Sequence, residues 1–136
     1  MKEILVVAID WLDREAKEAN VQFEIGGHRY NAFLMPCELE VGCTYRTDFS
    51  CLEEEISVAA MLGGNAERRR ELIPRGVNSW SYEGYGVIKG LHPLTVDCGN
   101  IELELFDRFR DERLVGEPIF FVIARLDLDP IPAIGR

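Results

Sequence analysis

Between Leu94 and Phe106 two short apolar alternations meet at Gly99-Asn100, and the register this imposes commits the region to a sheet. Leu94, Val96 and Cys98 alternate with Thr95 and Asp97, and Ile101, Leu103 and Leu105 then alternate with Glu102 and Glu104. Strict alternation marks a half-buried strand, and Gly-Asn between two such runs marks a two-residue hairpin turn. The turn pairs Cys98 with Ile101, Val96 with Leu103 and Leu94 with Leu105, so every apolar residue falls on one face. The same register sets Asp97 opposite Glu102 on the other face, where like charges repel. Hydration of both carboxylates relieves that repulsion, as does Arg125 reaching in from the last strand. A divalent cation or cationic partner held by Asp97, Glu102 and Glu104 does so too. Asp127-x-Asp129 adds oxygens for a cation, whereas Pro130 marks a strand end.

The same reasoning places further strands. Ile4 to Ile9 is apolar on both faces and predicts a covered strand from about Lys2 to Leu12, followed by a solvated connector over 13–18. Val21, Phe23 and Ile25 alternate up to Gly26-Gly27, and Tyr30, Ala32 and Leu34 alternate after it, which predicts a second hairpin with Phe23 opposite Tyr30. Further strands are expected over Cys43–Phe49, from Tyr82 through Gly84, Gly86 and Gly90, and over Glu117–Leu128. One main helix is expected at about 51–62. Ser50 and Glu53 read as a capping box, three glutamates occupy the first turn, and Gly63-Gly64 supplies the stop. A short helical turn is expected over Ala66–Leu72, then a loop over Ile73–Ser81.

Gly84-x-Gly86 with Gly90 has the composition of a nucleotide loop, but strand-type residues run through it where a helix should open. Close backbone approach in a bent strand is the better account. Nothing marks a hydrolase: G-x-S-x-G, a Walker lysine and H-E-x-x-H are all absent, and His28 and His92 are the only histidines. Cys37, Cys43, Cys51 and Cys98 match no zinc spacing and are expected as free thiols. Cys51, at the first helical position, would feel the helix dipole lowering its pKa and the neighbouring glutamates raising it.

The net charge of −9 works against general nucleic-acid binding, since an acidic surface repels polyphosphate. Arg68, Arg69, Arg70 and Arg75, followed by Trp80, Tyr82 and Tyr85, form the one local combination of cations and aromatics that suits base stacking or a protein surface. The apolar run Ile4–Ile9 is too short for a signal-peptide core, and no run approaches a membrane span, so a cytoplasmic protein without a membrane partner is expected.

Together these features predict a single domain over 1–136, mainly β and α+β by content. The expected form is a small, partly closed β-barrel or strongly bent antiparallel sheet, with an extended tail over 129–136. The layout of strands around one helix resembles the oligonucleotide/oligosaccharide-binding (OB) architecture, as a likeness of arrangement alone. The expected role is a non-enzymatic binding or assembly module for a protein partner, a second copy of the chain included, with no cofactor. Its candidate binding residues are Arg68, Arg69, Arg70, Arg75, Trp80 and Tyr82. An oligonucleotide-binding domain using the same residues is the alternative. A cation-dependent enzyme built on Asp97, Glu102 and Glu104, as weak metal ligands, is the third reading.

Overall fold

The alternations are expressed as nine strands of one sheet in a computed structural model that describes residues 1–131. The strands are β1 (Lys2–Asp13), β2 (Glu18–Ile25), β3 (His28–Leu34), β4 (Thr44–Glu53), β5 (Glu71–Pro74), β6 (Tyr82–Leu91), β7 (Leu94–Asp97), β8 (Glu102–Leu105) and β9 (Pro118–Pro130). A single short helix, α1 (Val58–Gly63), and a 3-10 turn at Glu112–Leu114 complete the described elements. The tail expected over 129–136 is in part strand, because Asp129 and Pro130 end β9; residues 132–136 lie outside the described residues.

Strand order is β3-β2-β1-β4-β9-β6-β7-β8, with β5 beside β6. Neighbours are antiparallel except where β3 meets β9 at Phe33–Asp127. That contact bends β3-β2-β1-β4-β9 into a ring, so the sheet closes on itself in part. The parallel contact is a matter of parity. Five strands alternating in direction around a ring must leave one pair of neighbours pointing the same way.

Both hairpins have the expected register. Phe23 pairs with Tyr30 and Val21 with Ala32, and Gly26 and Gly27 carry the positive φ values (57° and 81°) that a tight turn between right-twisted strands requires. Leu94 pairs with Leu105, Val96 with Leu103 and Asp97 with Glu102. The apolar face of this hairpin is almost wholly buried, with Leu94, Val96 and Leu103 at 0% exposure. Each such side chain contributes about 1.5–3 kcal/mol on leaving water, which outweighs up to about 1 kcal/mol of cross-strand repulsion. The two hairpin tips also touch: Asn100 Nδ2 donates to the Ile25 carbonyl at 3.4 Å and to Tyr30 Oη at 3.1 Å.

The helix is shorter and later than the capping signal suggests. Residues 50–53 continue β4, where Ser50, Cys51, Leu52 and Glu53 pair with Asp127, Leu126, Arg125 and Ile123. Non-local pairing overrides the local cap, because Phe49 and Cys51 turn toward the core at the strand period. The true cap is Ser57, whose hydroxyl accepts the Ala60 amide at 3.0 Å. The turn expected over Ala66–Leu72 is likewise replaced by a loop leading into β5.

That loop is held by Asn65, a buried polar residue at 3% exposure. Its Nδ2 donates toward the carbonyls of Arg69, Gly86 and Ile119 at 3.0, 3.2 and 3.3 Å, and its Oδ1 accepts the Arg69 amide at 2.8 Å. One side chain thus ties the loop to β6 and β9. The glycines of β6 fit by close approach: a Cβ on Gly84 would lie 2.2 Å from Phe121 Cζ, and one on Gly86 2.3 Å from Val96 Cγ1.

Candidate functional site

The cations of the loop are answered within the protein. Arg68 donates to the Gly116 carbonyl at 2.7 Å, Arg69 pairs with Glu71 and lies over Tyr85, Arg70 reaches Asp97 at 3.6 Å, and Arg75 pairs with Glu54 at 2.9 Å. Tyr82 is fully buried, and its hydroxyl donates to the Asn31 carbonyl and accepts the Asn31 amide, both at 2.7 Å. It is a core residue with no face to offer a partner. Trp80 is half-buried elsewhere, its Nε1 donating to Asn20 Oδ1 at 2.8 Å and its ring edge-on to Phe33 at 5.2 Å. Arg125 lies over the other side of this group, 4.4 Å from the Phe33 centroid.

The Asp97–Glu102 repulsion is relieved by neighbours from β6 and from the loop before β5. Lys89 on β6 pairs with Glu102 at 2.8 Å, and Arg70 approaches Asp97. The hydrogen bond to Glu102 in turn holds the Lys89 ammonium above its usual pKa. Arg125, one of the three ways the sequence offers of relieving that repulsion, pairs instead with Asp127 at 2.7 Å on its own strand. It lies over the Phe33 ring, beside Trp80. Among the described residues no group of three or more His, Cys, Asp or Glu side chains is placed to hold a metal ion.

Cys51 is also relocated. It lies inside β4, where burial, then Glu53 and Asp127, push its thiol up to about 12. No helix dipole acts on it, so the lowering that a first helical position would give has no source there. Burial raises Cys98 and Cys37 as well. His28 and His92 are exposed, at the start of β3 and in the β6–β7 turn.

The concave surface of greatest interest is a cleft of about 620 Å³ between β4 and β8. Strand β8 pairs only with β7, and β4 beyond Thr47 pairs only with β9, so each presents one strand edge without a ladder partner. The two strands lie side by side and run the same way. Cys51 Sγ reaches the Glu104 carbonyl at 4.0 Å, and the Phe106 amide donates to Glu53 Oε2 at 2.7 Å, both across 53 positions of sequence. Phe106 stands 73% exposed at one end of the cleft. A smaller hollow of about 410 Å³ beside α1 continues past Phe106 and Glu53, under Val58 and Met61.

Alternation in the sequence exposes Glu102 and Glu104, but it does not reveal that β8 ends the sheet beside β4. A clue was available: β8 is a four-residue strand followed by a charged loop, with no further strand to cover its edge before β9. No protein-family model, curated protein or solved structure matches the chain, so the site is argued from its own geometry.

Proposed function

We propose that the protein is a non-enzymatic binding module that docks a segment of another protein in the cleft between β4 and β8. The observation that carries this reading is the pair of unpartnered strand edges flanking a concavity, with the exposed Phe106 ring at its rim. An open strand edge is ordinarily shortened, charged or covered, and one set in a cleft is suited to main-chain recognition. The internal pairing of Arg69, Arg70 and Arg75 and the burial of Tyr82 remove the main support for a basic oligonucleotide surface over 68–82.

Selection of displayed random peptides against the immobilised chain tests the reading. Enriched peptides should lose binding to Phe106→Ala and keep it with Arg75→Ala, which lies outside the cleft. A selection that yields no binder, or only binders indifferent to Phe106, refutes it.

Oligonucleotide binding remains a second reading on one observation. The ring β1-β2-β3-β9-β4, with its parallel closure, has a connectivity like that of the OB architecture, and Phe33, Trp80 and Arg125 cluster on its outer side. Micromolar binding of single-stranded DNA or RNA at low salt, lost in Trp80→Ala, would favour it over peptide docking.

A further inference from the structure

We infer that the docked segment is anchored by one aromatic side chain, flanked by a basic residue, seated in the hollow of about 410 Å³ beside α1. This rests on the docking reading above and goes further in naming the side chains that hold the segment.

The first support is a helix that buries almost nothing. α1 reads Val58-Ala59-Ala60-Met61-Leu62-Gly63, without a charged residue, yet only Met61 is buried. A helix that is apolar all round ordinarily lies inside a protein. Here Val58 is 50% exposed and Leu62 40%, and Phe106, on the same hollow as Val58, is 73% exposed. Val58, Met61 and Leu62 stand at positions i, i+3 and i+4, so they share one face of the helix. Apolar side chains left together in water around a concavity mark a contact surface.

The second support is what lines the hollow. Met61 and Phe121, each 1% exposed, form its floor, and Ile56, Val58 and Phe106 its walls. A thioether and two aromatic rings favour a ring as occupant, through sulfur–ring contact and offset or edge-on stacking. The volume lies near the lower end of the range of about 300–1,000 Å³ for ligand pockets, which suits a single large side chain. Nothing has to be displaced for it to enter. The Glu53 carboxylate keeps the Phe106 amide and Arg108, and β4 and β8 keep their contact.

Charge supplies the third support. Glu53, Glu54 and Glu55 line the hollow, with Arg108 as the only cation among its lining residues. Arg108 answers Glu53 at 2.7 Å and Arg75 answers Glu54 at 2.9 Å. Glu55 is exposed and makes no ion pair among the described residues. A Lys or Arg beside the anchor completes the set, whereas a carboxylate there meets like charge.

Titration of acetyl-Gly-Lys-Trp-Lys-Gly amide into the intact chain, followed by backbone amide resonances, tests this. The Val58, Met61 and Phe106 amides should shift saturably. Replacing Trp by Ala in the peptide should weaken binding by at least about tenfold. Replacing both Lys by Glu should weaken it by about threefold at low salt, and Glu55→Lys in the protein by a similar factor. Val58→Trp, which fills the hollow from an exposed position, should abolish the shifts. No saturable shift, equal binding of the Ala or the Glu peptide, or shifts that persist in Val58→Trp overturn the inference. So does movement of the same resonances on concentrating the chain alone, which puts a second copy in the hollow. If display selection meanwhile yields peptides that need Phe106 but tolerate Val58→Trp, the docking cleft stands and only the anchor falls.

Discussion

Replacing Asn65 should show how much one side chain holds the loop onto the sheet. Its carboxamide has two hydrogens directed among three carbonyls, those of Arg69, Gly86 and Ile119, and its oxygen takes the Arg69 amide. With 3% exposure, little water is available to replace it. In Asn65→Ala, two donors and one acceptor are lost at about 0.5–1.5 kcal/mol each, so a deficit of about 3 kcal/mol is expected. Asn65→Asp keeps the shape but turns an anion toward the three carbonyls, and at pH 7 it should cost more than the alanine change. Burial against three carbonyls, with the Arg69 amide as its one donor, raises the pKa of the introduced carboxyl in the folded state above its unfolded value. The folded state then binds more protons than the unfolded one, and stability falls as pH rises through that interval. Acidification from pH 7 to 4 should therefore narrow the gap between Asn65→Asp and wild type, while the gap for Asn65→Ala stays nearly level. Urea titrations followed by the fluorescence of Trp11 and Trp80 measure both. A cost below about 0.5 kcal/mol for the alanine variant would refute the reasoning, since ordinary surface changes cost that much. So would a pH-independent deficit for the aspartate variant.

The β6 glycines should separate sharply: Gly86→Ala forces a Cβ against Val96 and the Asp97 carbonyl and should cost about 1–3 kcal/mol in urea midpoint, whereas Gly90→Ala, with nothing nearer than 3.9 Å, should be neutral. A thiol assay on the native chain near pH 8 should find the exposed Cys43 reacting first, with Cys37, Cys51 and Cys98 protected until the protein unfolds. The same raised thiols, with Tyr82 pushed up to about 12, stay protonated in the fold while the unfolded chain loses those protons. Stability should therefore decline above about pH 8.5, each such group adding a slope of up to about 1.4 kcal/mol per pH unit, and a flat profile to pH 10 would contradict the burial of these groups. Removing both Arg70 and Lys89 as alanines should lower the melting temperature at low salt through the bare Asp97–Glu102 pair. The deficit should shrink with added salt or with Glu102→Gln, and a salt-independent loss would point to packing instead.

What the sequence reveals is what is local. Gly26-Gly27 and Gly99-Asn100 each set a register over a few residues, and alternation then assigns Phe23, Tyr30, Val96 and Leu103 to the core. The misplaced helix marks the limit: Ser50 to Glu53 carries a proper local capping signal, yet its partners on β9 lie 70 to 77 positions away and prevail. Arg125 is available to Asp97 in the sequence as an outward-facing residue of another strand, yet it pairs with Asp127 and lies over Phe33. Which outward-facing residues meet depends on strand order and bend, and no periodicity encodes either. Asn65 left no trace either, since a single buried amide has no period. The β4–β8 cleft follows only from the order of strands in the sheet, which is a property of the whole chain.

Strand β9 pairs with β4, with β6 and, at one point, with β3, so both arcs of the sheet meet on it. It is also the last strand of the described chain to leave a ribosome. Until residues 118–130 have emerged, β4 and β6 have no neighbour in common and the ring cannot close. A nascent chain of that length holds its hairpins with several strand edges open, the state in which β-rich chains pair with one another instead of with themselves. Folding thus waits for the emergence of β9 and depends on contacts distant in sequence, which places it among the slower-folding topologies. For a cell making this protein, the critical interval is the short one between the emergence of Leu105 and that of Pro130.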